Sequence, residues 1–283
     1  AGCASSGRSE QVAVLGTDVA DLRERMNELQ EQVAELTAYR EVAACRLPNR
    51  AGAVRYSVGF PISPERIPAS GNVNVAVLFV DFPDAQALQG GTATDDEQTL
   101  IHEMFVNLVF GAKTYLEAMS YGTFDVTFRP LFRWLRMPHS LSALYADSGT
   151  GLGQGISRFM LIKGAIGLAD PDFNFEDIDS VVVIATPEAD SIRRATALLS
   201  PDWHFYPDGQ TIGNAISLGS SDWQWPGGLT IAHELGHNLG LPDLYDTSVK
   251  LDSEGNLSDE ADRFAGVFGL MADSSSNSPA EMF

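Results

Sequence analysis

In "TIAHELGHNLGLPDLYD", residues 230–246, two histidines stand four residues apart and a glutamate directly follows the first. On a helix, His233 and His237 lie one turn apart on a shared face. Two imidazoles at that spacing can ligate one Zn2+. Glu234 is rotated by about 100° from His233, so it can stand beside the metal without binding it. A general base that deprotonates a zinc-bound water is needed at that place. Gly240 suits the left-handed end of a helix, and Pro242 keeps the helix from resuming. The chain is then free to turn back and bring Asp243 to the metal. Three protein ligands with a fourth place for water is the usual arrangement in zinc hydrolases. Glu260, farther downstream, is the rival third ligand. The bland alternative is a capped polar helix end, which leaves the placing of Gly240 and Asp243 as coincidence.

A helix that holds such a centre needs a core behind it. Ile231, Leu235 and Leu239 can face that core and anchor the helix. The chain has 283 residues, enough for one large domain or two modest ones and for a sizeable core. Its net charge of -20 argues against nucleic acid as a partner, because phosphate backbones need clustered Lys and Arg. No stretch approaches the roughly 18 apolar residues of a membrane span.

Residues 9–45 read as one long helix. Val12, Leu15, Val19, Leu22, Met26, Leu29, Val33 and Leu36 are spaced alternately by three and four. This is a heptad seam with Val or Met at a and Leu at d, and it predicts a parallel coiled coil, a dimer or a trimer. Asp18 and Arg23 fall at g and the next e, where they can pair between chains. Residues 1–8 form a tail in which "AGCASSG" resembles the end of a bacterial lipoprotein signal, with Cys3 as the lipidated residue. A free thiol is the alternative. Cys3 and Cys45, at the two ends of the helical stretch, are too far apart for a disulfide within one chain.

Residues 46–71, with Pro48, Pro61, Pro64 and Pro68, read as a linker or a strap over the next domain. Residues 72–283 form that domain. "NVNVAVLFVDFPD" predicts a buried strand ending at Asp81. Residues 95–119 and 154–169 predict helices, "YGTFDVTFRPLFRWLRMP" predicts strands bent at Pro130, and "SVVVIA" at 180–185 predicts a central strand. Strands interleaved with helices imply a mixed α/β layer fold.

Smaller signals carry less. "GTGLGQG" at 149–155 lacks the Lys-Ser/Thr of a P-loop and reads as a loop before a helix. The acidic stretch 251–260 falls short of an EF-hand and reads as a solvated loop, with Ca2+ as the alternative. Asp81 and Asp84 are either strand stops or Ca2+ ligands. His102, His139 and His204 have no partner at ligand spacing and read as surface or packing residues, His204 with a chance of lining the cleft. Tyr245 is either an oxyanion donor or a packing residue.

"HELGHNLGLPDLYD" resembles the active-site stretch of the immune inhibitor A family of secreted bacterial zinc metallopeptidases, relatives of the metzincins. "GFPISPERIPASGNVNVAVLFVDFPD" is similar to that family's entry strand, "TYLEAMSYGTFDVTF" to the segment after it, and "FGLMAD" to its Met-turn. The resemblance covers roughly residues 59–283. It implies a zincin-like catalytic domain, with a mixed twisted sheet, an active-site helix and Met271 under the metal. It also implies Zn2+ on His233, His237 and Asp243, Glu234 as base, and peptide substrates outside the cytoplasm. The family's domain normally continues past the Met-turn, so residues 72–283 read as C-terminally incomplete. A heptad stalk is not the family's usual prodomain, and the "FPISPERIP" strap is the candidate for a latency plug across the cleft. The expectation is a zinc endopeptidase on a self-associating, lipid-anchored stalk, secreted or at the cell surface. The alternative is a non-catalytic surface or assembly protein that keeps the fold.

Overall fold

The computed structural model describes residues 25–27, 29–30, 58–59, 62–87, 94–146, 151–192, 194–200, 203–220, 222, 228–244 and 269–272. The chain divides into two units, Ala1–Gly52 and Ala53–Phe283. In the first, residues 25–27 and 29–30 are helical. Met26 and Leu29, an a and a d residue of the heptad run, are 55% and 60% exposed. The rest of that run, with Cys3 and Cys45, lies outside the described residues.

The second unit is built on a sheet whose strands run in the order β2-β1-β3-β5-β4. Strand β1 (Gly71–Asp81) is buried from Val75 onward. It pairs in parallel with β2 (Phe124–Arg136) on one side and β3 (Ser180–Ala185) on the other. Strand β5 (Asn214–Leu218) continues the parallel set, and β4 (Thr196–Leu199) closes the far edge antiparallel to β5. Every residue of β3 and β5 is buried, as expected of strands covered on both faces.

Alternation along β1 divides its side chains between two apolar layers. Val73, Val75, Val77 and Phe79 pack with helices α1 (Thr94–Met104), α2 (Gly111–Met119) and α5 (Leu229–Asn238). Ala76, Leu78 and Val80 pack with α3 (Leu141–Tyr145) and α4 (Gly151–Ala169) on the opposite face. The predicted α/β layering is therefore present as a mixed, mostly parallel five-stranded sheet.

Three local expectations change. The segment around Pro130 is one strand, with Pro130 opposite Val77 in the ladder. β2 is an edge strand, where a residue without an N–H is tolerated. The irregularity comes two residues later: Leu78 pairs with Leu131 but Phe79 with Trp134, so Phe132 and Arg133 are extra. Residues 95–119 are helical but include a π segment, Phe105–Phe110, in which the adjacent Leu108 and Val109 are both buried. The wider π turn accommodates the additional residue. Helix α4 begins at Gly151, so most of the glycine-rich stretch is helix rather than loop.

Asp81 and Asp84 are structural. Asp81 accepts from Arg136 Nε and Nη2 at 2.6 and 2.7 Å, and from the Ala87 N–H. Asp84 accepts from the backbone N–H groups of Leu141 and Ser142 at 2.6 and 3.1 Å, satisfying donors at the start of α3.

Helix α5 ends as its sequence requires. Leu241 N–H donates to Gly236 O and Gly240 N–H to His237 O, both at 2.9 Å. With Gly240 at φ +94°, this is a Schellman ending. The preceding strap docks here: Gly59 N–H donates to Gly240 O at 2.7 Å and Ile67 N–H to Asn238 O at 3.0 Å. A Cβ on residue 240 would lie 3.0 Å from Ile62 Cγ2 and 3.3 Å from Arg66 Cγ. Gly240→Ala is expected to lose about 1–2 kcal/mol from the left-handed backbone alone, with crowding adding to it. Chemical denaturation read by circular dichroism measures the loss.

Candidate metal centre

Helix α5 carries His233, Glu234 and His237, and all but the last are buried. Ile231 and Leu235 are fully buried on the sheet side and Leu239 packs partly against the same layer. Gly228, at φ +77°, caps the helix start. A Cβ there would stand 2.4 Å from Ala112 N and Leu108 O, so only glycine lets the active helix approach the π segment this closely.

His233, His237 and Asp243 each offer one ligand atom, and these atoms lie within 4.8 Å of one another. Asp243 Oδ1 is 3.2 Å from His233 Nε2 and 3.3 Å from His237 Nε2. The second nitrogen of each ring faces a carbonyl: His233 Nδ1 is 2.8 Å from Leu270 O, and His237 Nδ1 is 2.8 Å from Leu241 O. A carbonyl only accepts, so each Nδ1 carries the hydrogen and each neutral ring turns a lone pair outward from Nε2. Asp243 Oδ1 is buried, and no hydrogen bond of acceptable angle reaches it. Three acceptor atoms thus converge on one point. That arrangement requires a positive charge among them, and it fits a divalent metal held by two imidazoles and a carboxylate.

The electrostatics of the cluster agree. Burial disfavours a charged imidazole, but Asp243 and Glu234 outweigh it and raise both histidines above the ordinary value. Burial likewise opposes ionisation of Asp243, and the two imidazoles overcome it and hold its carboxyl well below the usual range. Without a metal, protons are drawn to the same point.

Met271 is buried against the helix that carries the two histidines. A Cβ on Gly236 would lie 2.5 Å from its Sδ. Its carbonyl accepts from the Leu244 N–H at 2.7 Å. The 269–272 turn therefore touches the helix, the third-ligand loop and, through Leu270 O, the first histidine.

Glu234 stands beside the ligand set. Burial raises its pKa against the pull of the imidazoles, and the backbone of edge strand β4 at Ala197 opposes that rise. Asp222 is a further buried acid in this region. It accepts from Gly219 N–H at 2.7 Å, just past the end of β5. Burial pushes it up to about 6, the charge of Glu234 adds to the rise, and Arg158 opposes it. Arg158 in turn donates to Ser217 Oγ at 2.8 Å.

The other predicted residues are dispersed. His102 stacks on Phe132 with 4.5 Å between centroids, and His139 is exposed. His204 lines a cavity beside the Arg66 strap. Glu260, Tyr245 and the acidic stretch 251–260 lie outside the described residues. Sequence reasoning missed the carbonyls of Leu241 and Leu270, because backbone groups carry no residue identity. Asp222 was missed as an acid with no partner at a telling spacing. Comparisons with protein-family models and with curated proteins return no match.

Asp222 gives a pH test. Its folded pKa, about 6, lies above the ordinary carboxylate value of 3.8. The protonated form is therefore favoured by folding; its contribution is complete below the ordinary value and is lost as pH rises through the folded one. Asp222→Asn keeps an acceptor for Gly219 and removes the charge. Relative to wild type, the variant is expected to gain on the order of 2–3 kcal/mol of stability between pH 4 and pH 7. Urea denaturation of both proteins across that range measures the difference.

Proposed function

We propose that the protein is a zinc-dependent endopeptidase. The observation that carries this reading is the convergence of His233 Nε2, His237 Nε2 and Asp243 Oδ1, with both Nδ1 atoms tied to carbonyls. A buried glutamate beside them completes the set a hydrolase needs. The resemblance of "HELGHNLGLPDLYD" and "FGLMAD" to immune inhibitor A peptidases, and with it a zincin-like reading of the α/β domain, points the same way. His233, His237 and Asp243 would hold the ion, which supplies Lewis-acid polarisation and an acidified water when bound.

The chain's own residues supply the rest. The Glu234 carboxylate takes a proton from water as the water adds to the peptide carbonyl carbon. Burial raises the glutamate's proton affinity, so the proton stays on it until the C–N bond breaks. It then passes to the leaving amine.

Glu234→Gln is expected to keep its zinc and lose cleavage by on the order of 10²–10⁴-fold. Asp243→Ala is expected to lose zinc, and Glu260→Ala to keep it. Metal content of the purified variants and chelator-sensitive cleavage of casein measure both. Wild-type cleavage by Glu234→Gln would remove the mechanism, full zinc in Asp243→Ala would remove the ligand assignment, and no cleavage by zinc-loaded wild type would favour the non-catalytic surface protein.

The catalytic unit is carried on a self-associating stalk outside the cytoplasm, anchored through a lipid on Cys3. Exposure of Met26 and Leu29, which occupy a and d positions, supports a partner helix, since each side chain gains about 1.5–3 kcal/mol on burial. Light scattering on the whole chain and on one starting at residue 55 is expected to give an oligomer and a monomer respectively. Two monomers would remove the stalk's role in assembly.

A further inference from the structure

Along the stripe of α5 that faces the sheet, one residue is polar. Ile231, Leu235 and Asn238 follow at intervals of four and three, which aligns them on one side of the helix. All three are fully buried. An apolar residue is expected at the third place. Instead, Asn238 Oδ1 accepts from Ser180 Oγ at 2.8 Å. Ser180 opens the central strand β3 and is 0% exposed. It shares a face of that strand with Val182 and Ile184, which pack in the same layer as Ile231 and Leu235. The Asn238 backbone is held as well, since its carbonyl accepts from the Ile67 N–H of the strap at 3.0 Å.

Stability does not account for this pair. Asn238 Nδ2 is buried with no hydrogen-bond partner among the described residues, and a donor left so costs at least what one hydrogen bond returns. Apolar side chains of the same shape in both places would be neutral or stabilising. What the polar pair adds is direction. An apolar layer tolerates small rotations of a helix, whereas a hydrogen bond between two buried groups does not. His237 directly precedes Asn238, and His233 lies one turn earlier. Turning α5 by about 10° moves an atom about 6 Å from its axis by about 1 Å, while metal–ligand distances hold to about 0.2 Å. Asp243 and the Leu270 carbonyl reach the histidines from outside the helix. The rotation of α5 therefore decides whether the three ligand atoms meet.

We infer that Asn238 and Ser180 are positioning residues for the metal. Their hydrogen bond sets the rotation of α5 on the sheet, and through it the placing of His233 Nε2 and His237 Nε2 against Asp243 Oδ1. The inference rests on the metal-centre reading and is independent of the substrate.

The test loads the full chain with Co2+ in place of Zn2+, because the visible absorption of bound Co2+ reports its coordination geometry. Ser180→Ala, Asn238→Leu and the double variant are compared with wild type. The readouts are Co2+ affinity by competition with a chelator, the absorption spectrum, and the urea midpoint of the metal-free protein. Each variant breaks the same bond, so all three are expected to lose affinity to a similar extent, on the order of ten-fold, with an altered spectrum. The metal-free double variant is expected to unfold at the wild-type urea concentration or above. Ser180→Ala adds no bulk to the core, so its Co2+ spectrum decides the matter where Asn238→Leu does not fold. Wild-type affinity and spectrum in the variants overturn the inference. A loss of affinity in the double variant that accompanies a fall in its urea midpoint also overturns it, since that is a merely structural role. Wild type that takes up no Co2+ overturns the metal-centre reading, and the inference with it.

Discussion

Lone pairs on Nε2 of two histidines and on one aspartate oxygen are held together around a single point, and neutral imidazoles cannot relieve that crowding by donating. Each ring has already committed its hydrogen to a carbonyl, His233 to Leu270 and His237 to Leu241. Acceptors facing acceptors at 3.2 and 3.3 Å are stable only with positive charge among them. Much of the surrounding structure bears on that constraint. The Schellman ending of α5 places Leu241 O within reach of His237, and the 269–272 turn places Leu270 O within reach of His233. The same turn holds Leu244, next to the third ligand. One helix end and one turn therefore set the tautomers and the ligand geometry together.

The sheet controls the acid beside the centre. β4 runs antiparallel at the edge, and its backbone at Ala197 bears on the proton affinity of Glu234. Asp222 accepts from Gly219 N–H just past the end of β5. Glu234 and Asp222 are both buried and each raises the proton affinity of its neighbour or is raised by it. Arg158, reaching from α4 to Ser217 on the other face of the sheet, supplies the opposing charge.

The parts of this arrangement legible in the sequence are those encoded by side chains at short spacing. His233, Glu234 and His237 share one helix, and Gly240 marks the turn that returns Asp243, so four residues of the centre follow from helical periodicity and one left-handed position. Met271 needed the resemblance, because nothing local distinguishes it from any buried methionine. The two carbonyls leave no trace in residue type. Strands β4 and β5 have four and five residues, too few to show a period, although β4 forms one wall of the site. Pro130 misled in the other direction, since a proline breaks a central strand and is harmless on the edge that β2 occupies. Gly151 misled because the propensity penalty of glycine at a helix start is small beside the tertiary packing of the rest of α4.

The strap is better understood as a wall than as a removable plug. Its hydrogen bonds, among the described residues, go to Asn238, Gly240, Ser200 and Asn214 rather than to the metal ligands. Two of these accept or donate at the C-terminal end of α5, where helix carbonyls have no partner of their own. Withdrawing the strap would leave those carbonyls to water and would require the buried guanidinium of Arg66 to leave Ser200, each at a cost of the order of 1 kcal/mol or more. It would also uncover Gly240, against which Ile62 and Arg66 are packed. The segment that resembles the family's entry strand thus completes the helix ending on which the His237 tautomer depends. A chain that lost it would lose definition at the metal centre.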